Sequence, residues 1–566
     1  MVRTAGIGYQ DFEQLIAENN FYIDKTMFIK EWWESKDRVT LIARPRRFGK
    51  TLNMSMLEKF FSVKYAERSD LFEGLSIWKD ETYRQLQGKY PVVFLSFAGI
   101  KENTFLEARK SICRTIEEQY NKSDYLLKGS LLNEKEKKFY QEVSTAMSDS
   151  TAAAALRSLS DFLGRYYKKK VIILLDEYDT PMQEAYVNGY WDEMTGFIRS
   201  LFNSAFKTNP YLERAVMTGI TRVSKESVFS DLNNLNIITT TSDQYAECFG
   251  FTEDEVYAAL DEYGMSEKKE DVKRWYDGFT FGGKTDIYNP WSIINYLATG
   301  KFRTYWANTS SNNLIGKLIQ EGTRDVKQSF EELLRGGHLI TPIEEQIVYD
   351  RLDADETAIW SLLLASGYLK VIQVEEYEET GVGTADFRCE LAITNLEVKL
   401  MFGGMIHGWF SGHMSDYNDF IRALLKNDLK AMNVYINRVA IGTFSCFDTG
   451  KNPSKSQPER FYHGFVLGLI VELNDRYVIS SNRESGFGRY DVMLEPRNQN
   501  DDAIIMEFKV QDADNGEKEL SDTVKAALKQ IEEKNYESSL IGKGIAKERI
   551  RRYGFAFSGR KVLIGC

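Results

Sequence analysis

Apolar positions run without a break through Val39–Ala43, a turn follows, and Leu52, Met56, Leu57, Phe60 and Phe61 then recur at helical spacing. This predicts a buried strand that feeds through a tight turn into a helix docked on a sheet. Tyr90–Phe97 reads as a second buried strand, and residues 103–167 as largely helical with an alanine-rich run at 152–155. Lys170–Asp179 is an apolar run ending in carboxylates, the form of a central parallel strand whose tip opens into a crevice. Arg214–Thr221 reads as a further strand ending in small hydroxylated residues. Thr252 and Glu255 then make a capping box that opens a helical lid. Residues 356–400 read helix, turn at Gly367, strand, acidic loop and strand, an order that suits a winged-helix-like module. Near the end, Arg489–Pro496 and Ala503–Val510 alternate like the two arms of a hairpin.

With 566 residues the chain has room for about three or four domains. The pattern divides it into an α/β part at 1–250, a helical lid with an aromatic-rich connector at 251–345, a winged-helix-like and helical module at 346–445, and a small α/β domain at 446–566. The aromatic stretches around Trp275, Tyr288–Ser292 and Tyr305–Trp306 can stack a base, but packing at a domain joint accounts for them more simply.

Charge changes the picture little. Lysine and arginine number 72 against 83 acidic residues, and the net charge of −11 argues against diffuse coating of nucleic acid. From Cys446 onward the balance is 19 to 19, with a basic cluster at 543–561 that can meet phosphate or simply form a basic surface helix. Five scattered cysteines and four unclustered histidines suggest neither a disulfide framework nor zinc, and fit a reducing cytoplasm. No apolar run is long enough to span a membrane, and the first residues lack the apolar core of a secretory signal.

Two stretches carry candidate chemistry. Arg44-Pro-Arg-Arg-Phe-Gly-Lys-Thr51 has the form of a phosphate loop: Arg46, Arg47, Phe48 and Gly49 bend the chain around the anion, Lys50 reaches terminal phosphates, and the Thr51 hydroxyl meets magnesium. It departs from the usual spacing, because Arg44 stands where the first glycine would be. Some 126 residues beyond Lys50, Asp176 sits where a carboxylate would hold that magnesium, and Glu177 where one would polarise an attacking water. Thr218 and Arg222 are candidates to sense the terminal phosphate and neutralise its charge, with core packing and a surface ion pair as the plain alternatives.

The second stretch is the late hairpin. Folding it symmetrically about Gln499 sets Asp491 opposite Glu507, and period-two alternation puts Glu507 and Lys509 on one face. Two carboxylates held together invite a cation, and a lysine beside them can orient or deprotonate a water attacking a phosphodiester. A surface hairpin with a cross-strand charge cluster is the competing explanation.

The hairpin resembles the PD-(D/E)XK nuclease superfamily, whose metal-binding aspartate, glutamate and lysine match Asp491, Glu507 and Lys509. Gln530 and Tyr536 match the helix often found behind that site, and either Glu459 or His463 can stand for its first acidic motif. The N-terminal part resembles the AAA-ATPase-like family of bacterial proteins joined to such domains. That resemblance rests on Tyr22–Thr26, Arg44–Thr51, Leu175–Asp179, Thr218–Arg222, Ser230–Asn234 and Tyr288–Ser292, and in that family the arginine opening the loop is a common trait. Together the resemblances imply an α/β multidomain protein: a parallel-sheet P-loop NTPase of the AAA/STAND type and a restriction-endonuclease-like domain. They imply ATP and Mg²⁺ as cofactors and supply no substrate; the leading expectation is a nuclease with nucleic acid, DNA first, as partner, in defence or mobile-element biology, and a homo-oligomer stays open. A signal-type NTPase whose nuclease-like domain binds without cutting is the alternative.

Overall fold

A computed structural model of the chain describes residues 3–221, 228–229, 232–307, 315–316, 318–319, 324–334, 336–344, 356–375, 388–410, 414–443, 466, 470, 473, 476–481, 484–485, 488–498, 501–512, 517–558 and 561–566. It falls into two compact units, Met1–Lys399 and Leu400–Cys566.

The first unit is built on a five-stranded parallel sheet of β1 (Val39–Ala43), β2 (Val92–Ser96), β3 (Val171–Asp176), β4 (Leu212–Gly219) and β5 (Leu235–Ile238), ordered β2-β3-β4-β1-β5. Every residue of β1 and β3 is buried, as their unbroken apolar runs require of central parallel strands. Each such aliphatic side chain contributes about 1.5–3 kcal/mol by leaving water, which helps offset the burial of Asp176 at the tip. Because all five strands run the same way, their C-terminal ends share one edge. The turn after β1, the carboxylates after β3 and the hydroxyls at the end of β4 therefore meet there. Helix α1 (Lys50–Phe61) leaves from this edge and packs Met54, Met56, Leu57, Phe60 and Phe61 into the core.

The lid region follows in the same unit. Its first helix, Glu253–Glu262, begins with the expected capping box: the Thr252 hydroxyl accepts from the Glu255 N–H, and the Glu255 carboxylate accepts from the Thr252 N–H. A short hairpin, Phe279–Phe281 with Lys284–Tyr288, leads into α2 (Pro290–Thr299). The aromatic-rich stretch packs into the core of this region. Trp275, Tyr276 and Tyr296 all stack on Phe302, with centroids 4.6–6.2 Å apart. Beyond it, the helix Glu356–Ala365 turns at Gly367 into Leu369–Glu375, which pairs with Arg388–Ile393, and Leu339–Pro342 adds a third antiparallel strand. The acidic loop between the first two lies outside the described residues. Helix α3 (Leu396–Phe410) follows.

The second unit holds a mixed sheet of β6 (Tyr477–Ser481), β7 (Val492–Pro496), β8 (Ala503–Val510), β9 (Ile550–Ser558) and β10 (Lys561–Gly565), in that order. All neighbours are antiparallel except β8 and β9. Strict alternation splits the strands between two cores. Val492, Leu494, Ile504, Met506 and Phe508 face the helices Met414–Leu425 and Leu429–Thr443. Met493, Ala503 and Ile505 face α4 (Leu520–Glu533) and the chain that follows it. The two helices before residue 446 thus share a core with the sheet that comes after it. Among the described residues no helix is long and apolar enough to cross a membrane.

Candidate functional site

The loop between β1 and α1 is held from several directions. Gly49, with φ of 79°, caps α1, and Arg47 also has a positive φ, 65°. The Lys50 ammonium is buried and donates to the carbonyls of Arg44 (2.9 Å) and Pro45 (2.8 Å). Burial lowers its pKa, while Glu177, Asp176 and Asp179 pull the other way. Thr51 donates through its hydroxyl to one Asp176 oxygen at 2.8 Å, and Thr218 to the other at 2.6 Å. Burial raises the Asp176 pKa against these two bonds. Glu177 follows in a left-handed conformation, φ 50°, which costs an L-residue about 1–2 kcal/mol. Its carboxylate is partly exposed and accepts from the Thr180 hydroxyl at 3.3 Å.

Arg44 answers the question its position raises. Its side chain is fully buried and turned away from the loop, donating to the carbonyls of Thr239, Ala43 (3.1 Å) and Gln244 (3.3 Å). The guanidinium also lies 4.4 Å from the Phe281 ring centroid, and burial lowers its pKa to about 9. It is a strut between β1, the segment after β5 and the lid hairpin. Phe48 packs likewise, edge-on to Phe279 and Phe281, so only its main chain belongs to the loop. Arg46 and Arg47 are exposed, with Arg47 4.5 Å from the Trp291 ring.

Two groups at this edge were not singled out from the sequence. Asp179 is buried and one of its oxygens accepts from Ile220 N, Thr221 N and the Thr221 hydroxyl, all at 2.9 Å, tying the tip of β3 to the turn after β4. Gly219 makes this possible, since a Cβ there would stand 2.7 Å from Asp179 Oδ1. Glu397 on α3 is buried and accepts from the Ser292 hydroxyl (2.8 Å), Trp306 N and Ala307 N; burial raises its pKa to about 7. A lone carboxylate in the first turn of a helix gives no advance sign of such pairing. Arg222 lies outside the described residues, as do Glu459 and His463.

In the second unit the pairing Val492↔Met506, Met493↔Ile505 and Leu494↔Ile504 continues to Asp491 opposite Glu507, the register the symmetric fold implies. Directly opposed residues of an antiparallel pair point to the same face. Asp491 therefore shares the α4 side of the sheet with Glu507 and, two residues on, Lys509. One Asp491 oxygen accepts from Phe508 N at 2.8 Å, which pins the carboxylate against β8. Glu507 is buried, and one of its oxygens accepts from the Gln530 amide on α4; the same amide lies 3.2 Å from the Tyr536 hydroxyl. Burial, with Glu507 and Asp491 adding to it, raises the Tyr536 pKa. Gly554, paired with Glu507 across β9, lets α4 approach: a Cβ there would be 2.8 Å from the Val524 carbonyl.

The basic cluster behind this sheet is engaged in ion pairs. Lys543 pairs with Glu495, Lys547 and Arg552 with Glu537, and Arg549 and Arg551 with Asp502.

Comparison with known proteins agrees with this layout. Residues 6–229 match the family described as predicted AAA-ATPase, and residues 457–565 match the PD-(D/E)XK nuclease superfamily. The chain thus joins an AAA-ATPase-like domain to a PD-(D/E)XK superfamily domain. A protein of Azotobacter chroococcum mcd 1, described as uncharacterized in the vnfD 5′ region, is 25% identical over 566 residues, 98% of this chain and 96% of its own length.

Proposed function

We propose that this chain is an ATP-hydrolysing protein of the cytoplasm carrying a metal-dependent nuclease domain that acts on DNA. The ATPase half is read as an AAA/STAND-type core with a helical lid and a winged-helix-like module after it. Its main support is the convergence of Thr51 and Thr218 on Asp176 at the strand edge from which α1 departs. That donor set, a hydroxyl and a carboxylate beside a helix N-terminus, fits Mg²⁺ with phosphate. In this reading Lys50 leaves the Arg44 and Pro45 carbonyls for the terminal phosphates, and Glu177 accepts a hydrogen bond from the attacking water.

The nuclease half is supported by Asp491 and Glu507 sharing one sheet face with Lys509. Two carboxylates fixed by a main-chain N–H and by Gln530 fit a hard divalent cation. At both sites Mg²⁺, when bound, supplies a Lewis acid that draws charge from phosphate oxygens. Lys509 orients the attacking water, and Gln530 with Tyr536 fixes the direction of Glu507. One observation favours a second reading, a signal-type NTPase whose C-terminal domain binds a partner without cutting it. The five cations between Lys543 and Arg552 already have carboxylate partners, so they offer little free charge to a phosphate backbone.

The test is ATP hydrolysis and Mn²⁺ binding by the full chain. Hydrolysis that disappears in Lys50→Ala, with one Mn²⁺ site lost in Glu507→Gln, supports both halves. Hydrolysis that survives Lys50→Ala refutes the first, and metal binding indifferent to Glu507→Gln refutes the second.

A further inference from the structure

The carbonyl of Arg46 has two donors from outside the loop. Trp306 Nε1 donates to it at 2.9 Å and Asn289 Nδ2 at 3.2 Å. A trans peptide is planar, with its C=O and N–H pointing in opposite directions. Holding the Arg46 carbonyl outward therefore turns the Arg47 N–H toward the concave side. Arg47 and Gly49, both at positive φ, continue the same bend, and a run of such N–H groups forms an anion-binding nest. The carbonyls of Arg44 and Pro45, by contrast, are held by Lys50 itself.

We infer that Trp306 and Asn289 are positioning residues that keep the phosphate loop concave when Lys50 leaves its carbonyls for the ligand. This deepens the ATPase reading and rests on it. While Lys50 is folded back, it supports the first two peptides of the loop. Once its ammonium turns to phosphate, those bonds are gone and the clamp on Arg46 remains.

Both donors are themselves fixed. Asn289 caps α2, accepting through Oδ1 from Trp291 N and Ser292 N, which directs its amide nitrogen at Arg46. The Trp306 ring lies 5.4 Å from those of Phe279 and Tyr368, and its main-chain N–H donates to Glu397. Glu397 also accepts from Ser292, so one carboxylate on α3 braces the segments that present both donors. The phosphate loop is thereby joined to Glu397, some 350 residues away in sequence.

Trp306→Phe keeps an aromatic ring and removes the indole N–H; Asn289→Ser keeps a helix cap and removes the amide donor. The probes are MgADP and inorganic pyrophosphate, titrated calorimetrically into the full chain. Trp275→Phe, in the lid core but away from the loop, is the control. Each clamp variant is expected to weaken both probes by about tenfold, the loss of one hydrogen bond to a ligand-shaping peptide. Trp275→Phe is expected to leave both unchanged, and the ligand-free melting temperature of Asn289→Ser to stay near that of the parent. Clamp variants that bind both probes within twofold of the parent overturn the inference while leaving the ATPase reading intact. So does a loss of affinity that only follows a matching loss of melting temperature, or one shared by Trp275→Phe. A parent chain that binds neither probe overturns the ATPase reading and this inference with it.

Discussion

The two candidate sites gather their carboxylates in opposite ways. At the edge of the parallel sheet the groups come from separate elements and are satisfied by one another. Asp176 takes two hydroxyl hydrogen bonds, Lys50 is folded onto its own loop, and Asp179 ties two strand ends together. On the mixed sheet the candidate groups Asp491, Glu507 and Lys509 sit on one hairpin, where a main-chain N–H and a helix amide from behind orient the carboxylates. In the proposed reading, the lysine of the first arrangement moves when a ligand is bound. The second holds its carboxylates by one strand N–H and one helix amide. In the proposed reading the loop site is suited to switching and the sheet site to fixed chemistry, so substitutions should affect them differently.

The largest effects are expected on the hairpin site. Asp491→Asn and Glu507→Gln should each reduce metal-dependent cleavage by at least about a hundredfold while leaving ATP turnover untouched, because each removes a charged ligand at constant volume. Gel-based cleavage and ATPase assays on the same preparations check this. Loss of both activities together would mean that the sites are not separable. At the loop site, Lys50→Ala should weaken MgATP by about a hundredfold, measured by calorimetry, since no neighbour replaces its ammonium. Glu177→Gln should instead retain binding and lose turnover.

How far the sequence carried these expectations differs between the sites, and for a physical reason. The hairpin is local: a symmetric loop and period-two alternation are enough to set Asp491 opposite Glu507, and the register agrees. The loop site is not local. Gly49, Lys50, Thr51 and Asp176 are legible from spacing, but Arg44 departs from the expected pattern and its purpose lies in carbonyls at Thr239 and Gln244, about 200 residues away. Asp179 reads in the sequence as one of the carboxylates closing an apolar run, because the Thr221 that binds it lies 42 residues on. Asn289 and Trp306 read as aromatic-joint residues because nothing in their neighbourhood in sequence points to Arg46. The helices at 414–443 gave no compositional sign that they belong with the C-terminal sheet, since a shared core leaves no local signature.

A smaller effect sharpens the contrast further. Gln530→Ala should lower metal affinity about tenfold without changing nucleotide binding, because it frees Glu507 to rotate but removes no ligand. Manganese titration checks it.

The smallest effect expected is a pH dependence in the first unit. The Glu397 carboxyl has a folded pKa raised by burial to about 7, above an unfolded value of about 4.5. A group with a raised folded pKa contributes stability that is full below its unfolded pKa and is lost as pH rises through the folded one. Melting of the parent should therefore fall by a few °C, relative to Glu397→Gln, between pH 4.5 and 7. A difference that stays constant across that window would remove Glu397 as its source.

The central claim is that one chain carries two distinct chemistries, ATP turnover at the loop and metal-dependent phosphodiester cleavage at the hairpin. The direct measurement is cleavage of single- and double-stranded DNA and RNA by the full chain, with Mg²⁺ or Mn²⁺, with and without ATP, alongside Glu507→Gln. The account predicts DNA cleavage that requires metal, responds to ATP and vanishes in Glu507→Gln. Metal-replete protein that hydrolyses ATP but cuts none of the four substrates, or cuts them equally well as Glu507→Gln, would contradict it.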